Sequence, residues 1–252
     1  MGQHILITGA SSGIGAAIAR TLDRDGNRLS LGARRVASLA EASRAAFRAH
    51  LDVTDERSVE TFLAAAIGAH GPVDVLVNNA GLARGVEKVA EADGQAWREM
   101  IETNVLGVLH VTRRVLPQML ARGQGHIVMI GSVAAHQTYE GGSVYCGTKR
   151  ALQSITEAIR LETVGSGVRI TSVDPGMVDT EFSLVRFSGD RPRADRVYEG
   201  MHPLRAVDVA ECVAFALSRP PHVNIDLILV KPTDQAAVGK VHRRPATDRT
   251  RP

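Results

Sequence analysis

Aromatic residues are scarce: one tryptophan, three tyrosines and five phenylalanines make up 4% of a 252-residue chain. So few rings, never interleaved with basic residues, leave no stacking platform for single-stranded nucleic acid. Cysteine is scarcer still. Cys146 and Cys212 are too few for a disulfide framework and lack metal-ligand spacing, and the nine histidines include no His-x-x-x-His pair. A metal site is therefore not expected. No apolar run approaches the roughly 18 residues that span a bilayer. The first apolar segment, His4 to Ile7, begins too close to Met1 for a cleavable signal. The expectation is a cytoplasmic protein that makes no use of a membrane. A net charge of +3 and an isoelectric point near 9.1 would suggest a polyanionic partner if the charge were spread over the chain. It is not: residues 239–252 carry Lys240, Arg243, Arg244, Arg249 and Arg251 against Asp248, a net +4 that leaves −1 for everything before them. No nucleic-acid partner is expected.

With 44% hydrophobic residues the chain can bury a sizeable core, and its length suits one domain. Residues 1–238 read as that domain and 239–252 as a basic tail, frayed at its end. Gln3 to Thr8 reads as a short buried strand, and Ala16 to Leu22 has helical apolar spacing. Between them lies Gly9-Ala10-Ser11-Ser12-Gly13-Ile14-Gly15, a G-x-x-x-G-x-G turn. Strand, glycine turn and helix in that order make a phosphate cradle. Glycine lets the backbone approach a pyrophosphate, and the helix start presents unpaired N–H groups.

A second strand, Arg28 to Leu31, runs into Ala33-Arg34-Arg35. In a dinucleotide site the end of this strand faces the adenosine ribose, where a carboxylate selects the 2′-hydroxyl and arginine accepts a 2′-phosphate. Arg34 and Arg35 with no acid favour NADP over NAD. A short helix is expected over Val36 to Ala46, then a strand over Phe47 to Leu51 with Asp52 and Val53 at its carboxyl end, a position suited to an adenine contact. A strand at Val73 to Val77 ends in Asn78-Asn79-Ala80-Gly81, small and amide side chains that let a cofactor pass close to the backbone. Trp97 to Leu120 reads as one long helical stretch with Asn104 inside it, where an amide competes for backbone hydrogen bonds. Further strands are expected at His126 to Ile130, Val168 to Val173 and Ile225 to Val230, and further helices at Tyr145 to Leu161 and Val207 to Leu217. Periodicity is lost from Glu181 to Pro203, as in a substrate-covering loop. Strands alternating with helices imply an α/β fold: a Rossmann-like, doubly wound parallel sheet of about seven strands flanked by helices.

The chemistry centres on Tyr145 and Lys149. Four residues apart on a helix, they put a phenol and an ammonium on one face. A free phenol titrates near pH ~10 and must fall by roughly 2 to 3 units, about 3 to 4 kcal/mol, to exchange protons usefully at neutral pH. Ser132 stands at the carboxyl edge of the preceding strand.

Taken together, Thr8-Gly9-x-x-x-Gly13-x-Gly15, Asn78-Asn79-Ala80-Gly81, Asn104, Ser132, Tyr145-x-x-x-Lys149 and Pro175-Gly176 resemble the short-chain dehydrogenase/reductase family in kind and order. The resemblance covers residues 3 to 235. The second half is more closely similar to bacterial NADP-dependent 3-hydroxy acid dehydrogenases acting on serine and allo-threonine, and to sulfoacetaldehyde reductases. The segments that carry this are Tyr139-x-Gly141-Gly142-x-Val144-Tyr145, Thr180-Glu181-Phe182-Ser183-x-Val185-Arg186-Phe187-x-Gly189-Asp190 and His222-Val223-Asn224-Ile225. The chain departs from that pattern in a short Arg35–Asp52 segment and in one residue fewer between Pro175 and Thr180.

The resemblance implies a set of roles. Tyr145 is the general acid in carbonyl reduction and the base in alcohol oxidation, and Lys149 lowers its pKa and holds the nicotinamide ribose. Ser132 positions the substrate oxygen, and Asn104 holds a water in a proton relay to Lys149. Val178 and Thr180 meet the carboxamide end of the nicotinamide. A 3-hydroxy acid needs an anion partner, and Arg186 is the first candidate because a guanidinium fork pairs with carboxylate or sulfonate through two hydrogen bonds. Arg84 and Arg150 compete for that role, and Arg186 could instead pin its own loop to Asp190. Tyr139 is expected to line the pocket. The resemblance also implies a homotetramer whose last residues pack on neighbouring subunits. Two other functions stay open on sequence: a reductase of an uncharged ketone or acyl-carrier 3-oxo thioester, and a catalytically silent NADP-binding sensor.

Overall fold

Apolar strands with both faces to cover dictate the architecture. In the computed structural model, which describes residues 2–24, 26–43 and 46–245, β1 (His4–Thr8), β4 (Val75–Asn78) and nearly all of β5 (Gly125–Ile130) are buried. That is the pattern of a parallel sheet with helices on both sides. Alternation sorts their side chains. Ile5, Ile7, Val75, Val77, Val128 and Ile130 point to one face, under α1 (Gly13–Leu22) and α8 (Ala206–Leu217). Leu6, Leu76, Ile127 and Met129 point to the other, under α2 (Glu56–His70), α4 (Gly107–Arg122) and α5 (Ser143–Glu162). Phe62 of α2, fully buried there, contributes about 2 to 3 kcal/mol of transfer free energy on the scale for large apolar side chains.

The other sheet strands are β2 (Arg28–Ala33), β3 (Phe47–His50), β6 (Val168–Pro175) and β9 (Leu227–Val230), and the order is β3-β2-β1-β4-β5-β6-β9. Every pairing in this sheet is parallel. The seven-stranded, doubly wound sheet expected from the sequence is what forms. After β3 the chain returns to the other side of β1, so the strand order reverses between β1 and β4 and opens a crevice over their carboxyl ends.

Three segments differ from the expectation. The helix expected over 36–46 is only a 3-10 turn, Val36–Glu41. This is the trimmed second helix that the short segment implied. The long helix expected over 97–120 is broken into α3 (Gly94–Ile101), a π-helical turn (Glu102–Leu106) and α4. The Gly107 N–H reaches back five residues to the Glu102 carbonyl, the sign of one residue inserted into the ladder. The aperiodic stretch after Glu181 folds as α6 (Phe182–Arg186) and α7 (Arg191–Arg196), enclosed by the paired strands β7 (Val178–Asp179) and β8 (Leu204–Arg205).

Past β9 a small hairpin joins β10 (Gln235–Ala237) to β11 (Lys240–Val241). Arg244 then grips Asp234 with two bonds of 2.6 and 3.0 Å, and Arg243 donates to the Val197 and Glu199 carbonyls. The basic segment thus begins by strapping down the 197–202 stretch, while the expected frayed end, residues 246–252, lies outside the described residues. No helix among the described residues is long and apolar enough to cross a membrane.

Candidate active site

A cleft of about 890 Å³ lies over the carboxyl ends of the strands, within the range of cofactor and substrate sites. Its floor is the glycine turn. Gly9 has φ +67, and a Cβ there would lie 2.8 Å from the Cα of Ala80. Asn79 splints the turn: its Nδ2 donates to the Thr8 and Gly9 carbonyls at 2.9 and 3.1 Å. The Thr8 hydroxyl accepts from the N–H groups of Asn79 and Ala80, both at 3.0 Å. Ser11, Ser12, Gly13 and Ile14 continue the floor. Ser12 does not cap α1 with its side chain, so the first-turn N–H groups are left for an anion. Gly15 is different. It does not line the cleft; its missing Cβ lets α1 pack on the turn, because one there would lie 2.4 Å from Asn79 Nδ2 and 2.5 Å from the Gly9 oxygen.

Arg34 and Arg35 line one end of the cleft, with Asp52 and Val53 beside them. Arg35 Nη2 donates to the Ser12 hydroxyl at 2.8 Å and to Glu181 at 2.9 Å. Asp52 Oδ1 accepts from the backbone and hydroxyl of Thr54 at 3.0 and 2.8 Å, closing a tight turn. Glycine cradle, uncapped helix start and paired guanidinium groups together suit a pyrophosphate carrying a further phosphate on its ribose.

Ser132, Tyr145 and Lys149 meet along the same cleft, with Ala80, Gly81, Pro175, Gly176, Val178 and Thr180 between them and the glycine turn. Lys149, buried, donates to the Ile130 carbonyl at 2.9 Å. Ser132 Oγ accepts from the Ala134 N–H at 3.1 Å and bonds the Tyr145 phenol. Cys146, next to Tyr145 in the chain, is buried.

Asn104 lies just behind this group rather than in the cleft lining. Its Oδ1 accepts from Leu82 N–H at 2.9 Å, and its Nδ2 donates to the Leu82 carbonyl at 2.8 Å and the Thr148 hydroxyl at 3.1 Å. Both amide hydrogens are therefore spent on protein. The side chain ties the π-helical turn to the Gly81–Leu82 loop and to α5, and only one Oδ1 lone pair is left for the water that the sequence assigned to it.

Burial dominates the electrostatics of both Tyr145 and Lys149. Burial pushes the Tyr145 phenol up to about 12, opposed first by Arg186 and then by the Ser132 bond. The guanidinium carbon of Arg186 lies 5.0 Å from the Tyr145 ring centre, whereas the Lys149 ammonium is turned to Ile130. Burial draws Lys149 down to about 8, with Asp174 pulling the other way. In the chain without cofactor, burial and Arg186 set the charge balance of the phenol, and the Lys149 ammonium is engaged by Ile130.

Over the phenol, Arg186 Nη2 donates to the Tyr139 hydroxyl at 3.0 Å, and both residues line the cleft. The Arg186 Nε is buried with no protein partner. Of its competitors, Arg84 also lines the cleft but is engaged by Glu99 at 2.7 Å and by the Val185 carbonyl at 2.8 Å. Arg150 is exposed, outside the lining, and donates to the His136 carbonyl at 3.3 Å. The alternative pairing with Asp190 does not form: that carboxylate caps α7 through the Arg193 N–H.

A profile of the family described as short chain dehydrogenase matches residues 3–189. The chain belongs to the short-chain dehydrogenase family. Two relatives of this short-chain dehydrogenase are an NADP-dependent 3-hydroxy acid dehydrogenase of Schizosaccharomyces pombe, 42% identical over 97% of this chain and 98% of that protein, and sulfoacetaldehyde reductase 2 of Chromohalobacter salexigens, 42% identical over 94% and 96%. Among solved structures, the closed form of serine dehydrogenase complexed with NADP+ superposes with a TM-score of 0.90 at 38% identity, covering 95% of this chain and 99% of that one.

The site of this short-chain dehydrogenase also contains residues that sequence reasoning did not single out. Glu181 bridges to Arg35. Tyr198 meets the Ser183 hydroxyl at 2.8 Å and donates to the Val178 carbonyl at 2.8 Å, holding α6 down on β7. Gln235 accepts from the Met177 N–H at 2.9 Å, and its Oε1 lies where a Cβ on Gly176 would stand, 2.2 Å away. Rarity was the one available signal, since Tyr198 is one of only three tyrosines.

Proposed function

We propose that this short-chain dehydrogenase is an NADP-dependent oxidoreductase interconverting a small 3-hydroxy acid and its carbonyl compound. The observation that carries the reading is a single cleft with a phosphate cradle and arginine pair at one end and Ser132, Tyr145 and a partly unpartnered Arg186 at the other. The names of the relatives, NADP-dependent 3-hydroxy acid dehydrogenase and sulfoacetaldehyde reductase, support it.

The bound nicotinamide supplies or accepts the hydride. The remaining work falls to the chain. Gly9, Ser11, Ser12, Gly13 and Ile14 cradle the pyrophosphate, with Gly15 setting the helix against the turn. Arg34 and Arg35 take the 2′-phosphate, Asp52 and Val53 flank the adenine, and Asn79, Ala80 and Gly81 keep the path narrow. Pro175, Gly176, Val178 and Thr180 border the nicotinamide end. Lys149 holds the ribose hydroxyls, and Asn104 fixes the wall behind it.

In reduction Tyr145 donates its proton to the carbonyl oxygen while Ser132 donates a hydrogen bond to the same atom. A phenol held near 12 stays protonated at neutral pH, ready to act as that acid. In oxidation Tyr145 takes the hydroxyl proton as a phenolate, the form that the Lys149 ammonium would favour once the cofactor ribose lies between the two. Arg186, steadied by Tyr139, pairs with the substrate carboxylate or sulfonate. Residues 1–238 form the catalytic domain, with 239–252 as its tail. A homotetramer is supported by the exposed apolar side chains of Phe215, Leu227 and Leu229 on α8 and the edge strand β9. A cytoplasmic location fits the free thiols of Cys146 and Cys212.

The test is a panel of 3-hydroxy acids, sulfoacetaldehyde and neutral ketones with NADP(H) and NAD(H), on wild type and Tyr145→Phe. Turnover of charged substrates with NADP(H), lost in the variant with NADPH binding retained, is expected. Preference for neutral ketones, or turnover by the variant, refutes the reading.

A further inference from the structure

Behind the cleft wall lies a polar cluster that the reaction above does not use. Asp174, near the end of β6, is 1% exposed and does not reach the cleft. Its Oδ1 accepts from the Ser172 hydroxyl at 2.5 Å, and its Oδ2 pairs with His136 Nε2 at 2.6 Å. A carboxylate in such surroundings is costly unless its lone pairs are satisfied and a cation is near.

The geometry brings the Lys149 anchor to the same stretch of backbone. A Cβ on Gly131 would lie 2.0 Å from Asp174 Oδ1, so the carboxylate presses directly against the peptide between Ile130 and Ser132. The Ile130 carbonyl at the start of this peptide link is the group that receives the Lys149 ammonium. His136 follows the short turn Val133–Ala135 that begins at Ser132. Lys149, through the Ile130 carbonyl, and Ser132, through the turn that ends at His136, are thus both attached to what surrounds Asp174.

We propose that Asp174 is a positioning residue whose carboxylate, fixed by His136 and Ser172, is the counter-charge that keeps the Lys149 ammonium protonated. This rests on the reading of Lys149 as the group holding the cofactor ribose. Burial alone works against the lysine's charge, and Asp174 is what opposes it. The other titratable groups around the pair are few. Tyr145 and Arg150 stand with Lys149 on α5, His136 closes the serine turn, and Lys231 past the end of β9 is held by the Ala236 carbonyl at 2.7 Å. Of the two side chains bonded to Asp174, Ser172 is buried and His136 is partly exposed, its side chain 22%. A fixed positive charge placed there satisfies Asp174 and withdraws its field from Lys149.

The experiment measures NADPH affinity by fluorescence titration from pH 6.5 to 10 on the full chain, in wild type, Asp174→Asn, His136→Arg and His136→Gln. Wild-type affinity is expected to fall as pH rises through a midpoint near the Lys149 value of about 8. In Asp174→Asn and His136→Arg the midpoint moves down by on the order of one unit, the usual effect of losing a near counter-charge. His136→Gln, which keeps a donor without a charge, retains the wild-type midpoint. A purely structural role for the cluster would weaken binding at every pH and leave the midpoint in place. Should Asp174→Asn fail to fold, His136→Arg against His136→Gln decides alone, because that position is partly exposed. A midpoint unmoved by either charge change overturns the assignment. A wild-type affinity that is flat with pH, or indifferent to Lys149→Met, defeats the role of Lys149 itself and the proposal with it.

Discussion

Arg186 holds its guanidinium carbon 5.0 Å from the centre of the Tyr145 ring, so the candidate anion anchor is also the cation that most opposes burial of the phenol. The same residue is tied to Tyr139 at 3.0 Å, and its backbone carbonyl accepts from Gly85 at 2.9 Å, which fixes the end of α6 over the cleft. Replacing Arg186 by alanine removes charge-assisted bonds worth about 2 to 3 kcal/mol to a bound carboxylate, or roughly 30- to 160-fold in kcat/KM. The loss should be greater for charged substrates than for neutral ketones, which feel only the change in the charge balance of Tyr145. Arg186→Lys should recover only part of it, because a point charge cannot form the two-pronged pair. Equal losses for charged and neutral substrates would falsify the anion role.

Glu181 stands where the lid and the ribose end of the cleft meet. Its carboxylate takes one Arg35 donor at 2.9 Å, and Arg35 holds it below the usual carboxylate range. Both side chains are more than half exposed, and such surface pairs are worth about 0 to 1 kcal/mol. A cofactor phosphate therefore competes with this contact at little cost. Glu181→Gln should tighten NADPH a few-fold, since it frees Arg35 and removes a like charge, and should leave NADH affinity nearly unchanged. Arg35→Ala should do the reverse, weakening NADPH by about tenfold or more, the scale of one lost charged bond. Fluorescence titration of both cofactors against the two variants checks the signs.

The strand and helix sequence was legible because parallel strands with two buried faces leave continuous apolar runs, and because Gly9, Gly13 and Gly15 mark a turn that few other residues could make. Tyr145 and Lys149 were singled out by their helical spacing together with the motifs around them. Three features were not. The π-helical turn at Asn104 arises from the tertiary bonds of that amide to Leu82 and Thr148, residues 22 and 44 positions away, which no local pattern encodes. The charge balance of Tyr145 depends on Arg186, brought over the ring by a segment with no periodicity. Asp174 carried no signal in the sequence, and only the folded chain shows it buried against His136.

Gly15 offers a test of packing as distinct from cofactor contact. A methyl group there would lie within 2.4 to 2.5 Å of Asn79 Nδ2 and the Gly9 carbonyl oxygen, so either the splint or the turn must move. Overpacking of this kind costs about 1 to 3 kcal/mol. Gly15→Ala should lower the melting temperature of the free protein and weaken NADPH together. A variant that binds weakly but melts as wild type would instead place Gly15 in direct contact with the cofactor.

His126 predicts how stability responds to acid. It sits in β5, 1% exposed, with Nε2 paired to the Thr171 hydroxyl at 2.8 Å and Nδ1 buried without a partner. Burial, aided by Arg169, pulls its pKa down to about 3 from an ordinary 6.5. The folded form therefore keeps the ring neutral, while the unfolded chain takes up a proton once pH drops below 6.5. Stability from this group is full above that value and erodes through the interval down to about 3, where the folded ring also protonates. The slope approaches about 1.4 kcal/mol per pH unit. Urea midpoints measured at pH 7 and pH 5 should differ by this contribution in wild type and by clearly less in His126→Val. The variant's lost bond to Thr171 costs the same at both pH values and drops out of the comparison. Equal pH dependence in the two proteins would mean that His126 is charged in the folded sheet, against its burial and its single hydroxyl partner.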